Sequence, residues 1–166
     1  MHSDLYLMGF RDSHAKSGFT LVELMIVITI ISIIAAIAIP NLIRSRMSAN
    51  EGAAIGTMRT LSSAQQQFQA GSVLPFPSGM GQYAASVAQL AAQLPPFLDS
   101  ALATGQKQGY AFTTVGGGID GAPAYTANGD PLIWNSSGSR AFYTDQNGLI
   151  TFNSGGAAGP ADNPVQ

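Results

Sequence analysis

From Leu21 to Ile39 the chain is almost unbroken apolar sequence, and Glu23 is the single charged side chain within it. At ~1.5 Å rise per residue such a helix reaches roughly 28 Å, close to the ~30 Å hydrocarbon core of a bilayer. The pattern changes after Pro40. From Asn41 to Ala70 there is no proline, and Met47, Ala54, Leu61 and Phe68 recur at intervals of seven, with Ile43 and Met58 beside them. This predicts an amphipathic helix with one apolar stripe, and Ser45, Glu51, Arg59, Gln66 and Gln69 read as its polar side. That stripe reads as a core-facing surface, with Leu61 and Phe68 expected to hold a globular head. Pro40 is expected to kink or locally melt the helix, because it lacks an amide donor and crowds the preceding turn.

Beyond the stripe the texture shifts again. Gly71 to Gln82, with Pro75, Pro77, Gly79 and Gly81, reads as a loop. Tyr83 to Leu94 reads as a short helix with Tyr83, Val87, Leu90 and Leu94 on one side, ended by Pro95-Pro96, and another helical turn is expected within Phe97 to Ala103. Strands are predicted at Tyr110–Val115, Pro123–Ala127, Ser139–Thr144 and Leu149–Phe152. The last two flank Asp145-Gln146-Asn147-Gly148, a hairpin signal because Asn and Gly accept positive φ. Trp134, Phe142 and Tyr143 are expected to pack on the sheet, and Asn153 to Gln166 to form a flexible tail. The fold class is α+β, a long N-terminal helical stalk packed against a small antiparallel β-sheet head. The divisions are a leader at 1–18, an apolar helix at 19–40, its amphipathic continuation at 41–71, a head at 72–152 and a tail at 153–166.

Composition then narrows the chemistry. The chain has 166 residues and no cysteine, so an exported head must rest on packing alone. Both histidines, His2 and His14, lie before the apolar run, leaving the remainder without the commonest nucleophile and general-base arrangements and without most zinc or copper sites. An enzyme is not expected, nor a cofactor. The net charge is −2 and no basic cluster exceeds Arg44 with Arg46, which gives no support to a phosphate-tracking nucleic-acid surface.

The carboxylate of Glu23 demands a partner, since a charge in a lipid-facing helix costs on the order of 2.5–3.5 kcal/mol on insertion scales. One reading of the N-terminus is an ordinary signal peptide with Ala36-Ile37-Ala38 as its cleavage site, but Glu23 and the length of the run argue against it. The other rests on Gly18-Phe19-Thr20-Leu21-Val22-Glu23, which closely resembles the type IV pilin and pseudopilin family. In that family a polar leader ends in Gly, Phe usually follows, a Glu lies at the fifth mature position and a Pro often at the twenty-second. With Phe19 counted first, Glu23 and Pro40 fall at those places; Ser32 stands at the fourteenth, where many pilins carry Gly.

The resemblance implies cleavage after Gly18 by a prepilin peptidase, methylation of the new Phe19 amino group, and polymerisation through the helix that begins Thr20, Leu21 and Val22. It implies that Glu23 meets the terminal amine of a neighbouring subunit, more a register device than a source of stability. The implied partners are identical subunits, the peptidase, a pilus assembly platform and the membrane before assembly. The implied locations are the inner membrane for the precursor and the cell surface for the filament. Positive charge does not orient the span, because Arg11 and Lys16 precede it and Arg44 and Arg46 follow it. Pseudopilins also suggest oxygen ligands for calcium near Asp120, Asp130 and Asp145, although short Asp/Asn/Gly clusters are more often plain turns. A type II secretion pseudopilin, a minor pilin and a membrane-tethered binding module stand as the alternatives.

Overall fold

The computed structural model of the chain describes residues 18–71, 82–119 and 122–165. The leader up to Ser17, most of the loop expected at 71–82, Asp120 and the last residue of the tail lie outside the described residues. Helix α1 runs over Leu21–Gly71, and the chain forms two compact units that meet at Ile39 and Pro40.

The first unit contains the apolar part of α1. Its two neutral polar residues are satisfied within the helix: Thr29 Oγ1 donates to the Met25 carbonyl and Ser32 Oγ to the Ile28 carbonyl, both at 2.7 Å. Internal satisfaction is what a helix in hydrocarbon requires. Pro40 lies inside α1 and the helix continues through it, so the expected local melting does not occur. Pro40 has no amide to give to the Ala36 carbonyl, and the intact turns on either side hold the backbone helical.

The second unit is built on the amphipathic part of α1. Ala54, Met58, Leu61 and Ala64 are buried there, three or four residues apart, and face a six-stranded sheet. The strands are β1 (Gln106–Lys107), β2 (Tyr110–Ile119), β3 (Ala122–Pro131), β4 (Ala141–Asp145), β5 (Ile150–Asn153) and β6 (Asn163–Pro164). They pair antiparallel in chain order, a simple meander. Side chains alternate across the pleat: Tyr110, Phe112 and Thr114 point to the core while Thr113 and Val115 face water. Tyr125, Ala127, Phe142 and Ile150 complete the sheet side of the core. The arrangement is the α+β one expected from the sequence.

The strands β2 and β3 are longer than their apolar runs. Gly116 and Gly117, beyond the predicted strand Tyr110–Val115, pair with Tyr125 and Ala124. Gly116 serves a close approach and not a turn, because a Cβ there would run into the Ala84 carbonyl group.

The helix expected at Tyr83–Leu94 shrinks to α2, Val87–Ala91. The reason is a competing bond. Gln65, fully buried on α1, donates to the Ala84 carbonyl at 3.0 Å and accepts from the Ala84 amide at 2.8 Å, which holds that stretch out of the helix. Ser86 then caps α2 through the Gln89 amide, and Leu94 is 96% exposed, off the packed side it was expected to join. Within Phe97 to Ala103 only a 3₁₀ turn forms, Leu102–Thr104, begun by Asp99 Oδ1 accepting from the Leu102 amide.

The segment from Asn153, expected as a flexible tail, folds back on the sheet. Thr151 Oγ1 donates to the Gly159 carbonyl, Asn153 Nδ2 reaches Asp162, and Asn163-Pro164 pairs with β5. Its glycines and prolines form turns that return the chain, and Val165 packs at the core margin.

Candidate assembly site

Helix α1 begins at Leu21, leaving Gly18, Phe19 and Thr20 as an exposed, non-helical lead-in. A Cβ on Gly18 would meet nothing within 4 Å, so this fold does not require glycine there. Thr20 is the N-cap, and it forms a reciprocal capping box with Glu23. The Glu23 amide donates to Thr20 Oγ1 at 3.2 Å, and Glu23 Oε2 accepts from the Thr20 amide at 2.8 Å and the Thr20 hydroxyl at 2.9 Å. Two of the four orphan amides of the helix start are thereby satisfied, and the negative charge lies at the positive end of the helix dipole.

This geometry qualifies the expectation for Glu23. Within one chain its carboxylate already has partners, both on Thr20, and Oε1 makes no hydrogen bond among the described residues. The Thr-x-x-Glu spacing is the ordinary sequence signal for a capping box and was legible beside the pilin string.

From Leu21 to Ile39 every large apolar side chain is open. Phe19 is 84% exposed, and Leu21, Val22, Met25, Ile30 and Ile37 are each at least half exposed. The helix passes the length and hydropathy of a membrane span, with mean hydropathy 2.8 in its most apolar window and none of that window buried. An apolar face this size needs a partner that is not water.

On the head, an unforeseen polar cluster ties α1 to the β3–β4 connection. Glu51, expected on the polar side, is 6% exposed. Its Oε1 accepts from the Ser139 amide and hydroxyl, and its Oε2 from Arg140 Nε, all at 2.8 Å. Burial pushes the Glu51 carboxyl up, but the Ser139 and Arg140 donors outweigh it and hold the carboxyl below its ordinary value. Arg140 in turn lies over the Phe142 and Phe152 rings, and Asn50 Nδ2 donates to the Ser137 carbonyl at 2.9 Å. Glu51 is three residues from Ala54, and Gln65 four from Leu61, so both sit on the buried stripe by spacing. Their polarity hid that placement.

Of the calcium candidates, Asp130 and Asp145 do not converge, and Asp120 lies outside the described residues. Asp145 is opposite Thr126 in the ladder, and Asp130 lies four residues further along β3, on the order of 13 Å away at ~3.3 Å per residue. Asp145 instead braces its own turn, accepting from the Asn147 amide at 2.9 Å. Asp130 is half-buried, and desolvation raises its carboxyl above the usual range. No cluster of three potential metal ligands occurs among the described residues. Trp134, expected on the sheet, belongs instead to a turn after β3, where it bridges to Gly138 and stays partly exposed; Phe142 is fully buried and Tyr143 half-buried.

Residues 13–39 match the family described as the prokaryotic N-terminal methylation motif. The chain is 49% identical over 58 residues to the type IV major pilin protein PilA of Myxococcus xanthus, covering 35% of this chain and 26% of that one. It is 44% identical over 52 residues to the type IV wide pilus major component PilA4 of Thermus thermophilus, covering 31% of this chain and 40% of that one. The matched region thus spans well under half the length of either relative. No solved structure matches. With Glu23 capping an exposed apolar helix, residues 13–39 matching the motif and two major pilins among its relatives, the chain carries the prepilin-type N-terminal methylation motif of the type IV pilins.

Proposed function

We propose that this protein is the structural subunit of a type IV pilus or pilus-like surface filament. The observation that carries the reading is the methylation motif over 13–39, coincident with an apolar helix that has no partner within the described chain. A prepilin peptidase cuts after Gly18 and methylates Phe19, and an assembly platform moves the helix from the inner membrane into a fibre of identical subunits. Neighbouring helices then replace acyl chains around Leu21 to Ile39. The methylated amine of a neighbour supplies the charge partner for Glu23, which turns from its Thr20 cap to the incoming cation. Pro40 marks the end of the apolar part. The role is mechanical and not enzymatic: beyond the leader the chain has neither Cys nor His.

The test is N-terminal peptide mass spectrometry on filaments sheared from the cell surface. A singly methylated chain beginning at Phe19, abundant in long fibres, supports a major pilin. The same terminus found in the envelope and absent from fibres overturns that in favour of a pseudopilin or minor pilin. A chain beginning at Ile39 overturns the pilin reading.

A further inference from the structure

The sequence contains two Asn-Gly pairs, Asn128-Gly129 and Asn147-Gly148, and the fold puts them in opposite surroundings. We infer that Asn147 is a site of spontaneous covalent modification, its side-chain amide converting to an acid through a cyclic imide with Gly148, while Asn128 is protected by the sheet. The inference rests on the head alone and is independent of the filament reading.

The reaction is redox-neutral and needs only water. The backbone nitrogen of Gly148 gives up its proton and attacks Cγ of Asn147, forming an N–Cγ bond; the Cγ–Nδ2 bond breaks, and ammonia leaves with the proton. Water then opens one of the two imide carbonyls, leaving either aspartate or isoaspartate at 147. A following glycine favours the step because no Cβ shields the attacking nitrogen and the backbone turns freely.

At Asn147 little stands in the way. Both residues are exposed, and Gly148 has φ +73° in the turn between β4 and β5. The Gly148 amide is engaged in a single turn bond, to the Asp145 carbonyl at 2.9 Å. Among the described residues the Asn147 side chain is held only by Asp145, with Nδ2 donating to Oδ2 at 3.2 Å. Opening one exposed turn frees both reacting groups, and such openings lie at the low end of local unfolding free energies.

At Asn128 the same chemistry requires the core to open. Asn128 and Gly129 are paired on both sides, to Thr113 and Phe112 of β2 and to Tyr143 and Phe142 of β4. Gly129 is buried with the Phe112 ring and Met58 Sδ against it, so its nitrogen cannot swing toward Cγ. The product at 147 also matters physically. It sets a new carboxylate beside Asp145, and the isoaspartate form adds a main-chain atom inside the tight β4–β5 connection, loosening the turn that aligns Thr144 with Ile150.

The experiment uses the detergent-solubilised full chain, held in mildly alkaline buffer and sampled over days, folded and in denaturant. Peptide mass spectrometry reads the amide-to-acid mass gain at each asparagine. Isoaspartate is read independently as methyl transfer from S-adenosylmethionine by an isoaspartyl methyltransferase. The expected result in the folded chain is conversion at Asn147 more than about tenfold faster than at Asn128, with the two comparable in denaturant. Asn147→Gln, which keeps an exposed amide, should remove most of the methyl-accepting signal. Equal rates at the two sites in the folded chain overturn the inference, and so does an Asn147 that stays amidated when folded yet converts when denatured.

Discussion

Glu51 and Asp130 are carboxylates of the same head whose surroundings push them in opposite directions. Glu51 holds its proton less readily in the folded chain than in the unfolded one. Its contribution is therefore fully present above the unfolded pKa and lost as pH falls through the lower folded value. Glu51→Ala removes the acceptor for three donors, leaves Arg140 unpaired and is expected to cost about 2–3 kcal/mol. Denaturant unfolding of the solubilised chain reads that loss near neutrality, and the difference from the parent should shrink on acidification through the carboxylate range. Asp130 behaves in reverse: its raised carboxyl favours the folded state at low pH and penalises it once ionised. Asp130→Asn should raise the thermal midpoint at neutral pH and leave it nearly unchanged at acid pH. A lower midpoint at neutral pH would show that the charge has a partner.

The glycines of β2 make an internally controlled comparison at the scale of an element. Gly116 backs onto Ala84, whereas a Cβ on Gly117 points into open space. Gly116→Ala should destabilise by about 1–3 kcal/mol, because strand and backbone must separate. Gly117→Ala should stay within about 0.5 kcal/mol. Chemical unfolding midpoints of the two variants decide it, and equal effects would mean that the stretch at Ala84 yields without cost. The contact also shows why this stretch is not helical: Ala84 is committed to Gln65 on one side and pressed against Gly116 on the other. Local propensity at Tyr83 to Ser86 is overridden by partners distant in sequence.

For the molecule as a whole, the telling variant is Glu23→Ala. The carboxylate contacts only Thr20 among the described residues, so its loss should leave the unfolding midpoint of the head unchanged. Helix α1 would lose the carboxylate half of its capping box, which lipid or detergent around a long apolar helix readily tolerates. Filament yield, counted by electron microscopy of sheared material, should fall sharply if the carboxylate meets a neighbouring amine. Normal yield would reduce Glu23 to a capping residue and favour a tethered display of the head.

The apolar run, the pilin string and the hairpin at Asp145 to Gly148 were legible from the sequence because each depends on residues adjacent along the chain. Hydrophobicity sums over neighbours, and a turn is decided by the φ its own residues accept. The sequence by itself therefore determined the long helix, the α+β class and the N-terminal motif, and the Thr20–Glu23 box was present in its spacing. Tertiary structure alone decided where the polar residues of the stripe go. Glu51 and Gln65 are buried because Ser139 with Arg140, and Ala84 with Thr114, arrive from elsewhere in the chain with matching donors and acceptors. It also decided that the glycine-rich end of β2 is strand, and that the last described residues return to the sheet edge. A buried hydrogen bond is a property of two distant segments, and neither segment carries a sign of it alone.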